Sequence, residues 1–286
     1  MRKSDGVLAE FGQIETVDML AQAFKGISGH HIATIKDQTL SSKQFFADLW
    51  EIYTQLKVTA KGHPLRRIQP KYQDKIVFVV VTAEGGLSGD IDKKLVDWML
   101  TFYDKKTTDI IVLGHHGVLQ LAQVGIDVTK YYPLPDKDVT TIDTTPIIAD
   151  ILDYGTIRVF YQTYVTLFSQ DITSIDLLQA VQTLGDESQV GTVTITSQNY
   201  IFEPTFNQVI DHMESIMMSV ALSQVILESK LAQYASRFNA MSMAHEKAGA
   251  TQEDLRRSYN QARRSEDDER TREIINGRKG RIAYGR

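Results

Sequence analysis

The residues of this chain best suited by type to chemistry are a glycine cluster, two histidine pairs and a dense run of charge. Gly85-Gly-Leu-Ser-Gly89 follows a β-branched run and precedes an amphipathic stretch, where a phosphate-binding loop would sit between strand and helix. It has neither the Gly-Lys-Ser/Thr ending of a P-loop nor the G-x-G-x-x-G dinucleotide pattern, so its expected role is a tight turn. His30-His31 and His115-His116 offer imidazoles, but adjacent positions do not converge on one helical or strand face, and no metal site is expected from them. No Ser/His/Asp arrangement, paired-carboxylate site or acidic metal loop stands out. The residues therefore point to no catalytic site, no cofactor and no direct small-molecule substrate. The remaining candidate is the stretch Arg263, Arg264, Glu266, Asp267, Asp268, Glu269, Arg270 and Arg272. On a helix such residues form i,i+4 pairs on a solvated face, or meet a charged partner.

The elements that must carry these residues divide the chain into three parts. Residues 1–60 read as a helical arm, in which Phe45, Leu49, Ile52 and Leu56 repeat with heptad spacing and Val7, Phe11 and Ile14 do so more weakly. Gly26 and Gly29 are expected to interrupt that arm. Lys61 to Lys75, with Pro64 and Pro70 among charges, reads as a linker. Ile76-Val-Phe-Val-Val-Val81 is a buried-strand signal, an amphipathic helix is expected from Asp92 to about Tyr103, and Asp109-Ile-Ile-Val-Leu113 is a second buried strand. Strand, helix, strand is the pattern of a parallel α/β unit. Weaker signals predict a helix over Gly117 to Val124 and a strand over Val128 to Leu134. A helix over Pro146 to Asp153, a long strand over Ile157 to Phe168 and a Thr-rich strand over Val190 to Tyr200 complete the central region.

No proline follows Pro204, which is well placed at the first position of a helix. From Phe206 an apolar stripe runs through Ile210, Met213, Met217, Val220, Gln224, Leu227, Leu231, Tyr234, Phe238 and Met241 to His245, in alternating steps of four and three. That spacing makes a coiled-coil seam. A helix from Pro204 to about Ile275 would be on the order of 100 Å long. Such a helix cannot offset its ordering entropy alone and must lie against a partner, for which the N-terminal arm is the natural choice. The expected domains are 1–60 as N-terminal coiled-coil helix, 61–201 as central Rossmann-like α/β domain, 202–277 as C-terminal coiled-coil helix and 278–286 as basic tail. The fold class is α/β, with a long antiparallel coiled coil of the two terminal helices.

Bulk composition narrows the partners. A net charge of −5 gives no global basic field for nucleic acid, and 42% hydrophobic residues suffice for a globular core. There is no cysteine, so disulfides, thiolate zinc sites and cysteine nucleophiles are excluded, which suits a reducing cytoplasmic setting. The longest apolar run, Ile76 to Val81, is far shorter than the roughly 20 residues that span a bilayer, and the N-terminus lacks a signal-type stretch. A soluble chain, able to sit on a membrane complex, is expected.

Four blocks carry a resemblance: Val-Val-Thr-Ala-Glu84-Gly-Gly-Leu-Ser-Gly89; Asp109-Ile-Ile-Val-Leu-Gly114-His-His-Gly117; Phe202-Glu-Pro204; and Arg237-Phe-Asn-Ala-Met241 before Tyr259-Asn-Gln-Ala-Arg263 and Glu273-Ile-Ile-Asn-Gly277. In these the chain resembles the gamma-chain family of rotary F-type ATP synthases, with the strongest match from residue 202 onward. It departs from the family at Gly85, where arginine is usual, at Ser88, where cysteine is usual, and in its basic ending Arg278 to Arg286. The resemblance implies a non-catalytic central-stalk rotor that couples ion flow to ATP synthesis or hydrolysis. Its implied partners are three alpha and three beta subunits, an epsilon subunit and a membrane rotor ring, on the cytoplasmic face of the cell membrane. Within that frame Ile210, Met213, Met217, Val220, Leu227, Leu231, Tyr234, Phe238 and Met241 are the expected seam, and Arg263, Arg264, Glu266, Asp267, Asp268, Glu269 and Arg270 the expected ring contacts. Two other readings stay open on the residues: a rotor of an F-like ATPase used mainly for hydrolysis, and a nucleotide-binding α/β protein with a coiled-coil dimerisation arm.

Overall fold

A strand with no polar alternation, such as Ile76 to Val81, must be covered on both faces. In the computed structural model, which describes residues 3–59, 72–135, 143–177, 181 and 206–283, this run forms the end of strand β1 (Tyr72–Val81). β1 pairs in parallel with β2 (Thr108–Leu113) on one side and β4 (Tyr154–Tyr164) on the other. β3 (Lys130–Tyr132) continues in parallel beyond β2, and β5 (Gln170–Asp176) lies antiparallel against β4. The sheet order is β3-β2-β1-β4-β5. Helices α2 (Ile91–Leu100), α3 (His115–Val124) and α4 (Thr145–Ile151) fall between the strands.

The period-two alternation of β1 decides what each face buries. Phe78 and Val80 join Leu95, Val96 and Met99 of α2 and Leu121 of α3. Val77, Val79 and Val81 face the opposite way, into a core shared with α4, with Phe46 and Tyr53 of α1 (Lys3–Thr59), and with Ile210, Met213, Met217, Met218, Ala221, Leu222, Val225 and Ile226 of α5 (Phe206–Ala283). This explains why the middle of α5 is buried beyond its single stripe: one side meets α1 and another meets the sheet. An apolar helix of this kind satisfies a hydropathy test for a membrane span, yet most of the relevant stretch is buried inside the protein.

The chain forms two compact units, Ser28–Phe238 and Met1–Ile27 with Asn239–Arg286. Within the first, α1 and α5 run antiparallel: His31 stacks on Tyr234 with centroids 4.6 Å apart, Ile35 packs with Leu227 and Tyr234, and the Tyr53 hydroxyl donates to Glu214 at 2.9 Å. Within the second the pairing is also antiparallel, since Ser4 meets Glu266 and Asp18 meets His245. The α1 seam of this unit is Ser4, Val7, Phe11, Ile14, Asp18 and Ala21, again in steps of three and four and all at least half-buried.

Four expectations are corrected. Gly26 and Gly29 do not interrupt α1, which is continuous from Lys3 to Thr59. A helical glycine costs about 1 kcal/mol, and the Phe238 ring lies against Gly29, where an added Cβ would meet it at 3.8 Å. The apolar stripe of α1 is also one residue out of phase: Phe45 and Ile52 are exposed, while Phe46 and Tyr53 are buried, with Trp50 packed on the same core. Tyr72 to Lys75 belong to β1 rather than to a linker, because Tyr72 pairs with Tyr154 of β4. Finally, the strand expected over Ile157 to Phe168 ends at Tyr164, and the chain turns back through Val165 to Ser169 into β5, for which no strand was expected. The strand expected over Val190 to Tyr200, the helix start at Pro204 and the linker residues before Tyr72 lie outside the described residues.

Candidate functional site: a polar joint on the C-terminal helix

Two carboxylates gather at the C-terminal end of β1. The backbone first brings β1 and α3 together: Gly117 N–H donates to the Thr82 hydroxyl at 2.9 Å, and that hydroxyl lies 3.1 Å from the carbonyls of Leu113 and Gly114. Only glycine fits here. A Cβ on Gly114, whose φ is +96°, would lie 2.1 Å from the Thr82 carbonyl oxygen, and one on Gly117 would lie 2.6 Å from the Thr82 hydroxyl oxygen. Glu84 then turns its carboxylate onto the first turn of α3. It accepts the N–H groups of His115 at 3.2 Å and Leu134 at 2.9 Å and the Tyr131 hydroxyl at 2.8 Å. Burial works against the charged form of Glu84, but these donors, with Lys230 nearby, outweigh it and hold the carboxyl below its usual range. Burial and the facing carboxylate push Tyr131 up to about 12. The helix N-terminus at which a phosphate would bind is thus occupied by the protein's own carboxylate.

Asp92, the second carboxylate, stands in the first turn of α2 and is buried. It accepts His116 Nδ1 at 2.7 Å, Gln162 Nε2 at 2.7 Å and, more distantly, the Ala83 N–H at 3.4 Å. The hydrogen bond to Asp92 raises the affinity of His116 for its proton, against the opposing effect of burial. The other end of the Gln162 amide faces α5: its Oε1 accepts from the Ser229 hydroxyl and from Gln233 Nε2 at 3.3 Å. Around this core α5 makes further polar contacts. Lys230, fully buried, donates Nζ to the Leu134 carbonyl at 2.8 Å; Ser236 donates to the Ser88 carbonyl at 2.7 Å; and Arg237 reaches the Gly85 carbonyl at 3.4 Å. One stretch of α5, from Ser229 to Arg237, therefore holds β4, the segment after β3 and the glycine loop together. Buried polar networks of this kind define one arrangement of their elements, because a misaligned alternative leaves desolvated groups unpaired.

Of the expected seam residues, Ile210, Met213 and Met217 are buried in the core beneath the sheet, and Val220 packs at its margin. Leu227, Leu231 and Tyr234 meet Ile32 and Ile35 of α1, Phe238 lies over Gly29, and Met241 is buried. Arg263, Arg264, Asp267, Asp268, Glu269 and Arg270 are exposed, and the structure brings none of them into an ion pair with one another. Glu266 differs: it is half-buried, and its two oxygens take the Ser4 N–H at 2.9 Å and the Ser4 hydroxyl at 2.7 Å. Sequence reasoning missed Asp92, Gln162, Ser229, Lys230 and Gln233. The available signal was the set of polar residues between seam positions of a helix otherwise apolar on two sides.

The sequence matches the family model described as ATP synthase over residues 10–279. Among curated relatives, the ATP synthase gamma chain of Ureaplasma urealyticum serovar 10 is 22% identical over 283 residues, covering 96% of this chain and 98% of its own length. Among solved structures, a chain of the Tetrahymena thermophila mitochondrial ATP synthase central stalk and c-ring aligns with a TM-score of 0.57 at 14% identity, covering 79% of this chain and 99% of that one. A chain of the Euglena gracilis mitochondrial ATP synthase aligns with a TM-score of 0.56 at 15% identity over 95% of both chains. With glycines placed where β1 and α3 touch, two terminal helices paired antiparallel and a family match across nearly the whole sequence, the chain belongs to the ATP synthase family, among its gamma chains.

Proposed function

We propose that this chain is the central-stalk rotor subunit of an F-type ATP synthase, carrying torque between a membrane ion-driven ring and a ring of three alpha and three beta subunits. The observation that carries this reading is the joint from Ser229 to Arg237, which fastens an α/β domain to one helix of an antiparallel pair. Torque delivered to the domain has to cross those contacts to reach the helix. The chain contributes no catalytic residue of its own; it works by presenting different sides to identical sites in turn. Its place is peripheral, on the cytoplasmic face of the cell membrane, with an epsilon subunit beside the α/β domain. Arg263, Arg264, Asp267, Asp268, Glu269 and Arg270 are its charged contacts with the ring, and Glu266 belongs instead to the helix pair. Glu84 supports the rotor over the nucleotide-binding alternative, since its carboxylate fills the anion-binding turn of α3.

The test is reconstitution. The purified chain hydrolyses no ATP, and co-expression with its cognate alpha and beta subunits yields a complex with one copy per three-plus-three ring and rotation-coupled ATPase activity. Failure to co-purify with those subunits would sink the proposal.

A further inference from the structure

We infer that His116, Asp92 and Gln162 form a proton-sensitive latch that sets how firmly the α/β domain grips the C-terminal helix. The chain of contacts is continuous and has one polarity. A carboxylate only accepts hydrogen bonds, so Asp92 requires Gln162 to present its NH2 group, which lies 2.7 Å away. The carbonyl of Gln162 is thereby turned to α5, where the Ser229 hydroxyl and the Gln233 amide both donate to it. Reversing the amide would set a carbonyl against the carboxylate and an NH2 group against the NH2 group of Gln233. Asp92 therefore positions Gln162, and Gln162 positions Ser229 and Gln233.

His116 is the part of this chain open to solvent, with its side chain 23% exposed against 1% for Asp92. A protonated imidazole at 2.7 Å offsets the negative charge that Asp92 places in a desolvated site, and a neutral one does not. The groups around it have settled roles. Glu84 is engaged by His115 N–H, Leu134 N–H, Tyr131 and Lys230; Arg237 is directed to the Gly85 carbonyl; and Gln120, one turn along α3, lies 3.5 Å from His116 Nε2. The N-terminus of α3 disfavours a cation, but the Asp92 contact prevails and His116 holds its proton above the ordinary value of 6.5. A group with a raised folded-state pKa contributes stability that is complete below its unfolded value and lost as pH rises through the folded one. The latch is therefore tight on the acid side and loosens on the alkaline side.

This inference rests on the joint alone and stands whether or not the chain is a rotor. It is tested by amide hydrogen exchange of the full-length chain, corrected for intrinsic rates, across the interval from pH 6 to about 8.5. Protection of Ser229 to Arg237 should fall severalfold over that interval in the wild type and stay level in His116→Gln, which keeps a donor but cannot titrate. Gln162→Met cuts the chain further in: His116 should still titrate by NMR while protection of Ser229 to Arg237 no longer follows it. The same pH-dependent fall in either variant, or a level wild type across the His116 titration, would overturn the inference.

Discussion

Replacing Tyr53 with phenylalanine tests the contact that ties α1 to α5 beneath the sheet. Tyr53 and Glu214 are both buried, and the hydroxyl donates to the carboxylate at 2.9 Å. The substitution keeps the ring in place among Phe46, Trp50 and the sheet core, so only the hydroxyl is lost. A hydrogen bond to a charged group contributes about 1.5–3 kcal/mol, and the carboxylate left behind is too buried for water to replace the donor fully. For a unit of this size that corresponds to a fall in melting midpoint of roughly 3–12 °C, read by far-UV circular dichroism at neutral pH. The pH dependence gives an internal control. Burial, and then Glu214, raise the Tyr53 pKa above the ordinary value of 10.0. The wild-type advantage should therefore be complete below about pH 10 and shrink above it. A single variant melting within about 1 °C of the wild type would show that Glu214 does not depend on Tyr53.

The phase of the α1 seam is tested by neighbouring residues: Phe46→Ala should cost about 3–5 kcal/mol in urea denaturation and Phe45→Ala no more than about 0.5 kcal/mol, whereas equal losses would contradict the observed burial. Gly117→Ala should destabilise the chain by about 1–3 kcal/mol through overpacking, since its Cβ would come within 2.6 Å of Thr82 and 2.9 Å of Val112. Gly86→Ala, with nothing within 4 Å, should leave the denaturation midpoint nearly unchanged.

The parts of this fold that were legible in sequence are those in which a single surface sets the residue pattern. Val77 to Val81 reads as a buried strand because both faces are covered by apolar partners, and the α5 stripe reads as a seam most directly at Leu227, Leu231 and Tyr234, which face Ile32 and Ile35 of α1. Where one element meets two neighbours the pattern blurs. Phe45 and Phe46 are equally apolar, and only the position of the sheet core decides which of them is buried. β5 escaped because its sequence Gln-Asp-Ile-Thr-Ser-Ile-Asp is polar at every position but the two isoleucines, as suits an antiparallel strand at the sheet edge. The joint was the least legible feature: Asp92 sits where acidic residues often decorate a helix start, and nothing local distinguishes it from a solvated carboxylate. Its role depends on Gln162, 70 positions away in the chain, and on Ser229 and Gln233 farther still.

Asp18 and Glu266 have one more consequence within the unit formed by the chain ends. Helix pairs with a regular apolar seam tolerate sliding, because a shift of one heptad, on the order of 10 Å, brings like against like. Here the same slide would carry Asp18 away from His245 and Glu266 away from Ser4 together, breaking both contacts between the helices at once. The small and polar positions that weaken this seam as an adhesive therefore make it a lock against creep: two helices pulled along one another should stay in register until they separate.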